Sequence, residues 1–217
     1  MTTPDYIYLH GFASSPQSAK AQYLGDRFSQ SQINLKILDL NQGDFSHLTL
    51  TRQLKQVEAK FPSNHIPVTL IGSSFGGLTS AWLGEKYPQV KRLVLLAPAF
   101  GFLSHWLSML GEAQVKQWQE SGYLSVYHYG EERSLPLDYQ FVIDASQYQE
   151  SELQKPIPTL ILHGADDDVI PIQSSRDYAY QRPWVQLIEL ESDHTLSNVM
   201  PEIWQAIQKF CLLNKSP

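Results

Sequence analysis

The feature that most constrains this chain is residues 72–76, which read Gly-Ser-Ser-Phe-Gly and have the form Gly-x-Ser-x-Gly. An apolar run at 68–71 precedes them and predicts a buried strand, and a helical pattern follows at 77–83. A strand that turns sharply into a helix has room only for small residues on either side of the bend, and the two glycines supply it. We therefore expect Ser74 to project above the end of a sheet, at a helix N-terminus whose backbone N–H groups stabilise negative charge.

Short apolar stretches alternate with helical patterns along most of the sequence, which is typical of a parallel sheet covered by helices on both faces. The candidate strands are residues 6–9, 34–40, 68–71, 92–96, 159–162 and 185–190. Ser15 followed by Pro16 predicts the start of the first helix, because proline is favoured at the first helical position. We predict an α/β fold, with a doubly wound and mostly parallel sheet of about six strands.

The alternation breaks within residues 99–156, a stretch too long to be a plain loop. Residues 100–110 carry an apolar helical stripe, and residues 124–137 predict a small hairpin. We interpret residues 1–217 as a single α/β domain and residues 99–156 as a lid inserted within it. The stripe fits packing on the domain and lining of a substrate pocket equally well. The pocket candidates are Phe102, Trp106 and Leu110.

Composition and charge argue against several classes of function. The net charge of −6 and the absence of a basic run are unfavourable for a nucleic-acid surface. The longest apolar run, residues 93–103, is too short to span a bilayer and contains a proline. No signal peptide is visible, and the one cysteine, Cys211, cannot form an internal disulfide. We therefore expect a cytoplasmic protein that neither binds nucleic acid nor inserts into a membrane.

Partners for the serine can be sought at the other strand ends. A serine hydroxyl becomes a good nucleophile when a histidine takes its proton and an acid holds the histidine. On such a sheet the order along the chain is serine, acid, histidine, each beyond the C-terminal end of a strand. Three consecutive acids, Asp166, Asp167 and Asp168, follow the fifth strand, and His194 follows the sixth. Ser74, one of the aspartates and His194 are therefore the candidate catalytic residues.

The end of the first strand supplies a further part. There the backbone N–H of Phe12 can pair with that of Phe75 to form an oxyanion hole for a tetrahedral intermediate. His10 and His163 end strands next to glycine, and we interpret both as braces for their loops. A metal site at the aspartates is disfavoured because no His or Glu at ligand spacing joins them, so neither a metal nor a cofactor is expected.

Taken together, these residues resemble an α/β-hydrolase. The resemblance rests on Tyr-Leu-His-Gly-Phe at 8–12, the turn at Ser74, His-Gly-x-x-Asp-x-x-Ile-Pro at 163–171, and Asp-His at 193–194. The His-Gly-Phe-x-Ser-Ser-Pro opening and the Tyr-x-Tyr-Gly-Glu piece at 127–131 are similar to small bacterial esterases of the YqiA/YcfP kind. One departure is that few residues precede the first strand, so the strand pair that usually leads this fold is expected to be missing.

The resemblance implies a serine hydrolase that acts on a small-molecule carboxylic ester or thioester without a cofactor. It also implies that the acid is Asp167, the fifth residue of the His-Gly-x-x-Asp run, whereas the residues alone leave Asp166 and Asp168 open. Two alternatives remain: an acyltransferase that uses the same three residues, and a non-catalytic binding protein on a hydrolase scaffold. The aromatic residues of the lid favour an apolar acyl or aryl group, and the oligomeric state is not indicated.

Overall fold

The computed structural model describes residues 3–63 and 65–213. The strands are β1 (Asp5–Leu9), β2 (Leu35–Leu38), β3 (Val68–Ser73), β4 (Val90–Leu96), β5 (Tyr123–His128), β6 (Arg133–Asp138), β7 (Thr159–Gly164) and β8 (Val185–Leu190). The α-helices are α1 (Ala19–Gln30), α2 (Leu50–Glu58), α3 (Phe75–Lys86), α4 (Phe102–Ser121), α5 (Gln140–Ala145), α6 (Ile172–Tyr180) and α7 (Met200–Cys211).

The main sheet has six strands in the order β2-β1-β3-β4-β7-β8, and every neighbouring pair is parallel. β3 and β7 are buried at every position, as expected for central strands that have helices over both faces. This arrangement confirms the predicted α/β fold class with a doubly wound parallel sheet. Because all the strands run the same way, the residues that follow β1, β3, β7 and β8 meet at one edge.

Two hydrophobic clusters cover the two faces of the sheet. Alternate side chains of a strand point to opposite faces, so Ile7 and Leu9 join one cluster and Tyr6 and Tyr8 join the other. The cluster with Ile7 lies under α2, α3 and the segment between β4 and β7, whereas the cluster with Tyr6 lies under α1 and α7. The helices thus pack against both faces of the sheet, and the connecting loops lie at the C-terminal ends of its strands.

The segment at residues 99–156 contains the helix and hairpin expected from its sequence. α4 bends at Gly111, whose φ of 77° and ψ of 157° are not helical, and β5 and β6 pair as an antiparallel hairpin. The buried Trp118 of α4 donates its indole N–H to the carbonyl of Leu137 in β6, at 2.9 Å, and so ties helix to hairpin. The lid role of this segment and the extent of the domain remain predictions.

The first helix does not begin at Ser15–Pro16, as its sequence predicted, but at Ala19 with Ser18 as the N-cap. Ser15 and Pro16 instead open a turn that is closed by a 3.1 Å hydrogen bond from the Ser18 N–H to the Ser15 carbonyl. A serine followed by proline suits the first two positions of such a turn as well as a helix start. The Ser-Pro pair therefore correctly predicted a bend in the chain, but the bend is a turn before α1 and not the start of the helix.

Candidate active site

Ser74 lies at a sharp turn between β3 and α3. Its φ of 53° and ψ of −118° are strained for a residue with a side chain, a state that costs about 1–3 kcal/mol and needs support from its surroundings. The flanking glycines permit the turn: a Cβ on Gly72 would overlap the carbonyl of Gly76, and one on Gly76 would overlap the carbonyl of Leu9. The elbow predicted from the Gly-x-Ser-x-Gly pattern is therefore formed by close backbone packing.

Backbone hydrogen bonds hold Ser74 in this conformation. Its N–H donates to the carbonyl of Leu96 at 2.8 Å, which anchors the turn to the end of β4. Its carbonyl accepts from the N–H groups of Gly77 at 2.8 Å and Ala99 at 3.1 Å. Ser74 is thereby fixed at the end of β3, before the first turn of α3, and the residue is partly exposed.

The structure brings Ser74, His194 and Asp167 into one chain of hydrogen-bond contacts. The Oγ of Ser74 lies 3.1 Å from Nε2 of His194, and Nδ1 of His194 lies 2.7 Å from Oδ2 of Asp167. Because the carboxylate can only accept, Nδ1 carries the ring proton and Nε2 is left with a lone pair that faces the serine hydroxyl. This arrangement allows the imidazole to take the proton of Ser74.

Among the three consecutive aspartates, Asp167 alone turns inward. It is 8% exposed, whereas Asp166 and Asp168 are exposed to solvent. Its Oδ1 accepts from the backbone N–H groups of Val169 at 3.0 Å and Ile170 at 2.8 Å. Burial raises the pKa of Asp167, but contacts with His163, His194 and the Ile170 N–H together outweigh burial and hold that pKa well below its usual range. The carboxylate is therefore charged throughout the neutral range.

One further histidine belongs to this cluster, although its sequence position suggested only a loop brace. His163, at the end of β7, is fully buried, and its Nε2 lies 3.0 Å from Oδ2 of Asp167 and 2.9 Å from the carbonyl of Ile170. Its Nδ1 lies 2.7 Å from the hydroxyl of Ser175 in α6. The signal available in the sequence was the spacing of four residues between His163 and Asp167 across a tight turn.

The two predicted oxyanion donors belong to residues that lie close to Ser74. Gly11 is so close that a Cβ placed on it would lie 3.3 Å from the Cβ of Ser74, which puts the next residue, Phe12, beside the serine. Within residues 3–63 and 65–213, the N–H of Phe12 donates to no other group. The N–H of Phe75 begins α3 and so has no acceptor within the helix. Both donors are thus available to a ligand.

The loop that carries Phe12 is fastened at several points. His10 is buried, donates from Nδ1 to the carbonyl of Gly11 at 2.9 Å, and accepts at Nε2 from the N–H of Leu40 at 3.0 Å. Burial lowers the pKa of His10, which favours the neutral ring that these two contacts require. The brace role expected of His10 therefore has a geometric basis in contacts that fix the backbone next to Phe12.

The three predicted pocket residues do not all lie beside Phe12. The Phe12 ring contacts Phe102 and Trp106, with centroid separations of 5.8 and 5.4 Å, and Trp106 stacks on Phe102 at 5.3 Å. Leu110 is partly buried against the same hydrophobic cluster. Phe102 and Trp106 therefore contact the residue that is predicted to carry an oxyanion donor, while Leu110 lies further along α4.

A cavity of about 400 Å³ lies between α3 and the 99–156 segment. Phe102 lines it, but Trp106, Leu110 and Ser74 do not. Its walls are mainly apolar, and its full lining is Leu50, Phe75, Leu78, Trp82, Gly101, Phe102, Leu103, Ser104, Leu107, Ala145, Ser146, Tyr148, Gln149 and Glu150. Since Phe75 directly follows Ser74 and lines the cavity, the cavity begins next to the serine turn and extends along α3.

A sequence profile for the uncharacterised protein family UPF0227 matches residues 5–211 of the chain. The chain belongs to that family. No curated protein is similar enough in sequence to be matched with it.

Solved structures share the fold of this UPF0227 protein. A protein from Agrobacterium vitis S4 has a TM-score of 0.82 and 23% identity, covering 96% of this chain and 88% of its own. The alpha/beta hydrolase domain-containing protein 10 from mouse has a TM-score of 0.76 and 23% identity, covering 96% and 89%. A monoacylglycerol lipase from Paleococcus ferrophilus has a TM-score of 0.75 and 17% identity, covering 99% and 97%. The UPF0227 chain therefore has the α/β-hydrolase fold.

Two absences concern the described part of the UPF0227 chain. Residues 3–63 and 65–213 contain no group of three or more His, Cys, Asp and Glu side chains that could hold a metal ion. In the same two ranges, no helix combines the length and the apolar character needed to cross a bilayer.

Proposed function

We propose that this protein is a serine hydrolase that cleaves carboxylic esters or thioesters through an acyl-enzyme. The observation that carries the proposal is the continuous contact from Ser74 through His194 to Asp167, with separations of 3.1 and 2.7 Å. A nucleophile, a base and an orienting acid at such distances form the arrangement required for acyl transfer to serine. The strained turn at Ser74 supports the same role, because strain of this kind concentrates at reactive positions.

In the proposed reaction, the Oγ of Ser74 attacks the acyl carbonyl while Nε2 of His194 takes the hydroxyl proton. Asp167 holds the ring through Nδ1 and stabilises its positive charge. The N–H groups of Phe12 and Phe75 bind the oxyanion of the tetrahedral intermediate. His194 then gives its proton to the leaving alcohol or thiol, and it activates the water that releases the acid and restores the serine. No cofactor is needed for any of these steps.

We place the acyl group in the cavity that begins at Phe75. Its volume of about 400 Å³ falls within the range of small-molecule sites, and its aromatic and aliphatic walls suit an apolar acyl chain or ring. In this arrangement Phe102 forms the wall nearest the oxyanion loop, Trp106 stacks behind Phe102, and Leu110 supports α4 from outside the cavity. Residues 99–156 then act as a lid, inserted in one domain that spans the chain.

A carboxylate in the wall sets a limit on the acyl group. Glu150 lines the cavity and accepts the N–H of Gly101 at 2.8 Å, and burial raises its pKa. The burial that disfavours the charged form of Glu150 would also disfavour a negatively charged acyl chain in this space, so neutral acyl groups are favoured. The name of one fold relative, a monoacylglycerol lipase, is in keeping with a neutral ester substrate.

The test is the intact mass after reaction with a fluorophosphonate probe, which labels activated serines. Wild type, Ser74→Ala, His194→Ala and the adjacent control Ser73→Ala are compared after circular dichroism has established that each is folded. We expect a single adduct on wild type and on Ser73→Ala, and none on the other two. An adduct that survives Ser74→Ala, or no adduct on folded wild type, would contradict the proposal.

Turnover is measured alongside with neutral esters and thioesters. Loss of Ser74 should reduce kcat by about 10⁴-fold or more if it is the nucleophile. Labelling without hydrolysis of any ester or thioester, but with transfer to an added alcohol or thiol, would assign the same residues to an acyltransferase.

A further inference from the structure

His163 and Ser175 form a buried pair directly behind the carboxylate that holds His194. Both residues are fully buried, His163 at the end of β7 and Ser175 in α6. The Oγ of Ser175 lies 2.7 Å from Nδ1 of His163, and Nε2 of His163 lies 3.0 Å from Oδ2 of Asp167. The same Oδ2 lies 2.7 Å from Nδ1 of His194. One carboxylate oxygen is therefore shared by two imidazoles.

The contacts of His163 indicate which of its two ring nitrogens carries the proton. Nε2 faces two groups that can only accept, the ionised carboxylate of Asp167 and the carbonyl of Ile170, which lies 2.9 Å away and is the better aligned. Nε2 must therefore carry the hydrogen, and Nδ1 is left to accept the hydroxyl proton of Ser175. Ser175 thus satisfies Nδ1 in this tautomer and fixes the plane of the His163 ring.

The same ring also holds the turn between Asp167 and Ile170. The carbonyl of Ile170 accepts from His163, while the N–H of Ile170 donates to the other oxygen of Asp167 at 2.8 Å. Removal of His163 would free both the carboxylate and one of the backbone donors that orient it. Asp167 therefore has partners on both oxygens, and a buried network that is fully satisfied fixes a single geometry.

We propose that His163, oriented by Ser175, is a positioning residue that holds Asp167 against His194 and limits how strongly the carboxylate attracts the protonated ring. This inference rests on the proposed function of Ser74 and His194. The contacts run from Ser175 through His163, Asp167 and His194 to Ser74.

The expected consequence concerns both rate and pH. A neutral N–H beside Oδ2 spreads the negative charge that His194 meets, as any donor to a carboxylate does. Without the N–H of His163, the carboxylate stabilises the protonated ring of His194 more strongly. The acid limb of the kcat/KM profile therefore moves to higher pH. A purely structural role for His163 would lower the amount of folded enzyme but would not move this limb.

The experiment compares the pH dependence of kcat and KM in wild type, His163→Leu, His163→Gln and Ser175→Ala. Leucine removes the donor, and glutamine places an N–H near the position of Nε2. Thr159→Val is the matched control, because Thr159 is buried in the same strand and donates to the carbonyl of Ile157, far from Asp167.

For His163→Leu we expect kcat to fall about 10- to 100-fold, with little change in KM, and the acid limb to move up by about half a unit to one unit. Ser175→Ala should shift the limb in the same direction by less, and His163→Gln should restore most of the rate. Thr159→Val should leave the limb where it is. An unchanged limb in both folded His163→Leu and Ser175→Ala overturns the proposal, and if His163→Leu does not fold, Ser175→Ala decides alone.

A second readout separates this inference from the proposed function. Long-range ¹H–¹⁵N correlation spectra give the tautomer of His163 whether or not the protein turns over an ester. We expect the Nε2–H tautomer in wild type and, because both acceptors of Nε2 remain, in Ser175→Ala as well; an Nδ1–H tautomer in wild type would overturn the inference. No serine adduct and no hydrolysis by wild type would instead show that the proposed function is wrong, with the tautomer still measured.

Discussion

The N–H of Tyr129 donates a 2.8 Å hydrogen bond to the carbonyl of Ala13, and so joins the β5–β6 hairpin to the loop that follows β1. That loop carries Phe12, whose N–H we assign to the oxyanion hole. The next residue of the hairpin, Gly130, lies against Ser15: a Cβ on Gly130 would be 2.7 Å from the Cβ of Ser15. The 99–156 segment therefore supports the loop of Phe12 from outside as well as lining the cavity.

This contact predicts a specific loss and a specific rescue. Gly130→Ala should push the hairpin and the loop apart and lower kcat/KM by about 10- to 100-fold, because small displacements of catalytic donors are costly. Ser15→Gly in the same chain removes the atoms that the new methyl group meets, so the double variant should recover most of the rate. Equal activity of Gly130→Ala and wild type, or no recovery in the double variant, would contradict this coupling.

The aspartate cluster offers a test with its controls built in. Asp167→Asn should lower kcat by about 10⁴-fold, since an amide at this position favours the wrong tautomer of His194. Asp166→Asn and Asp168→Asn change the same charge one residue away on exposed side chains and should stay close to wild type. Steady-state kinetics on a neutral ester gives all three values. A comparable loss in either neighbour would mean that Asp167 is not the acid.

Much of the site follows from the order of the strand ends. A parallel sheet brings the residues after its strands to one edge, so Ser74 and His194 could be proposed from their positions alone. The choice among three aspartates could not be made in this way. It depends on a turn in which the N–H groups of Val169 and Ile170 draw one carboxylate inward, and nothing in three identical residue types encodes that turn.

The residues that line the cavity could not be predicted from the sequence either. The apolar stripe of α4 predicted a helix, but which of its residues face a space depends on how α4 lies against α3, a contact between distant parts of the chain. Leu107 faces the cavity and Leu110, one turn later, does not. Trp82 also lines it, from α3. Periodicity identifies a helix face but not the gap left between two helices.

Lys20 predicts a change in stability with pH. Its Nζ lies 3.5 Å from the carbonyl of His194, and burial lowers its pKa to about 8, against the opposing charges of Asp167 and Asp193. In the unfolded chain the lysine has its ordinary pKa of about 10.4. Between these two values the unfolded chain holds a proton that the folded protein has released, so stability rises with pH through this window.

Lys20→Met removes this titration and isolates its effect. We expect the free energy of unfolding of wild type, minus that of Lys20→Met, to increase from pH 8 to about pH 10.4. Urea denaturation at several pH values measures both quantities under the same conditions. A difference that stays constant or falls across this window would show that the ammonium group is not buried as the structure places it.

Leu107 and Leu110 provide a matched pair for the acyl pocket. Both lie on α4 and are partly buried, but the side chain of Leu107 lines the cavity and that of Leu110 does not. Leu107→Trp should fill the space and exclude several methylene groups of a long acyl chain, each worth about 0.8 kcal/mol of binding. The ratio of kcat/KM for a long-chain ester to that for an acetate should therefore fall by about 10-fold or more.

Leu110→Trp adds the same bulk one turn away and should leave that ratio unchanged, even if it alters the stability of the helix. Measuring the ratio within each variant cancels differences in the fraction of active enzyme. If both tryptophans lower the ratio equally, the effect comes from a distorted α4 and not from the cavity. If Leu110→Trp alone lowers it, the acyl chain follows the other face of α4, and the pocket lies where the sequence stripe first suggested.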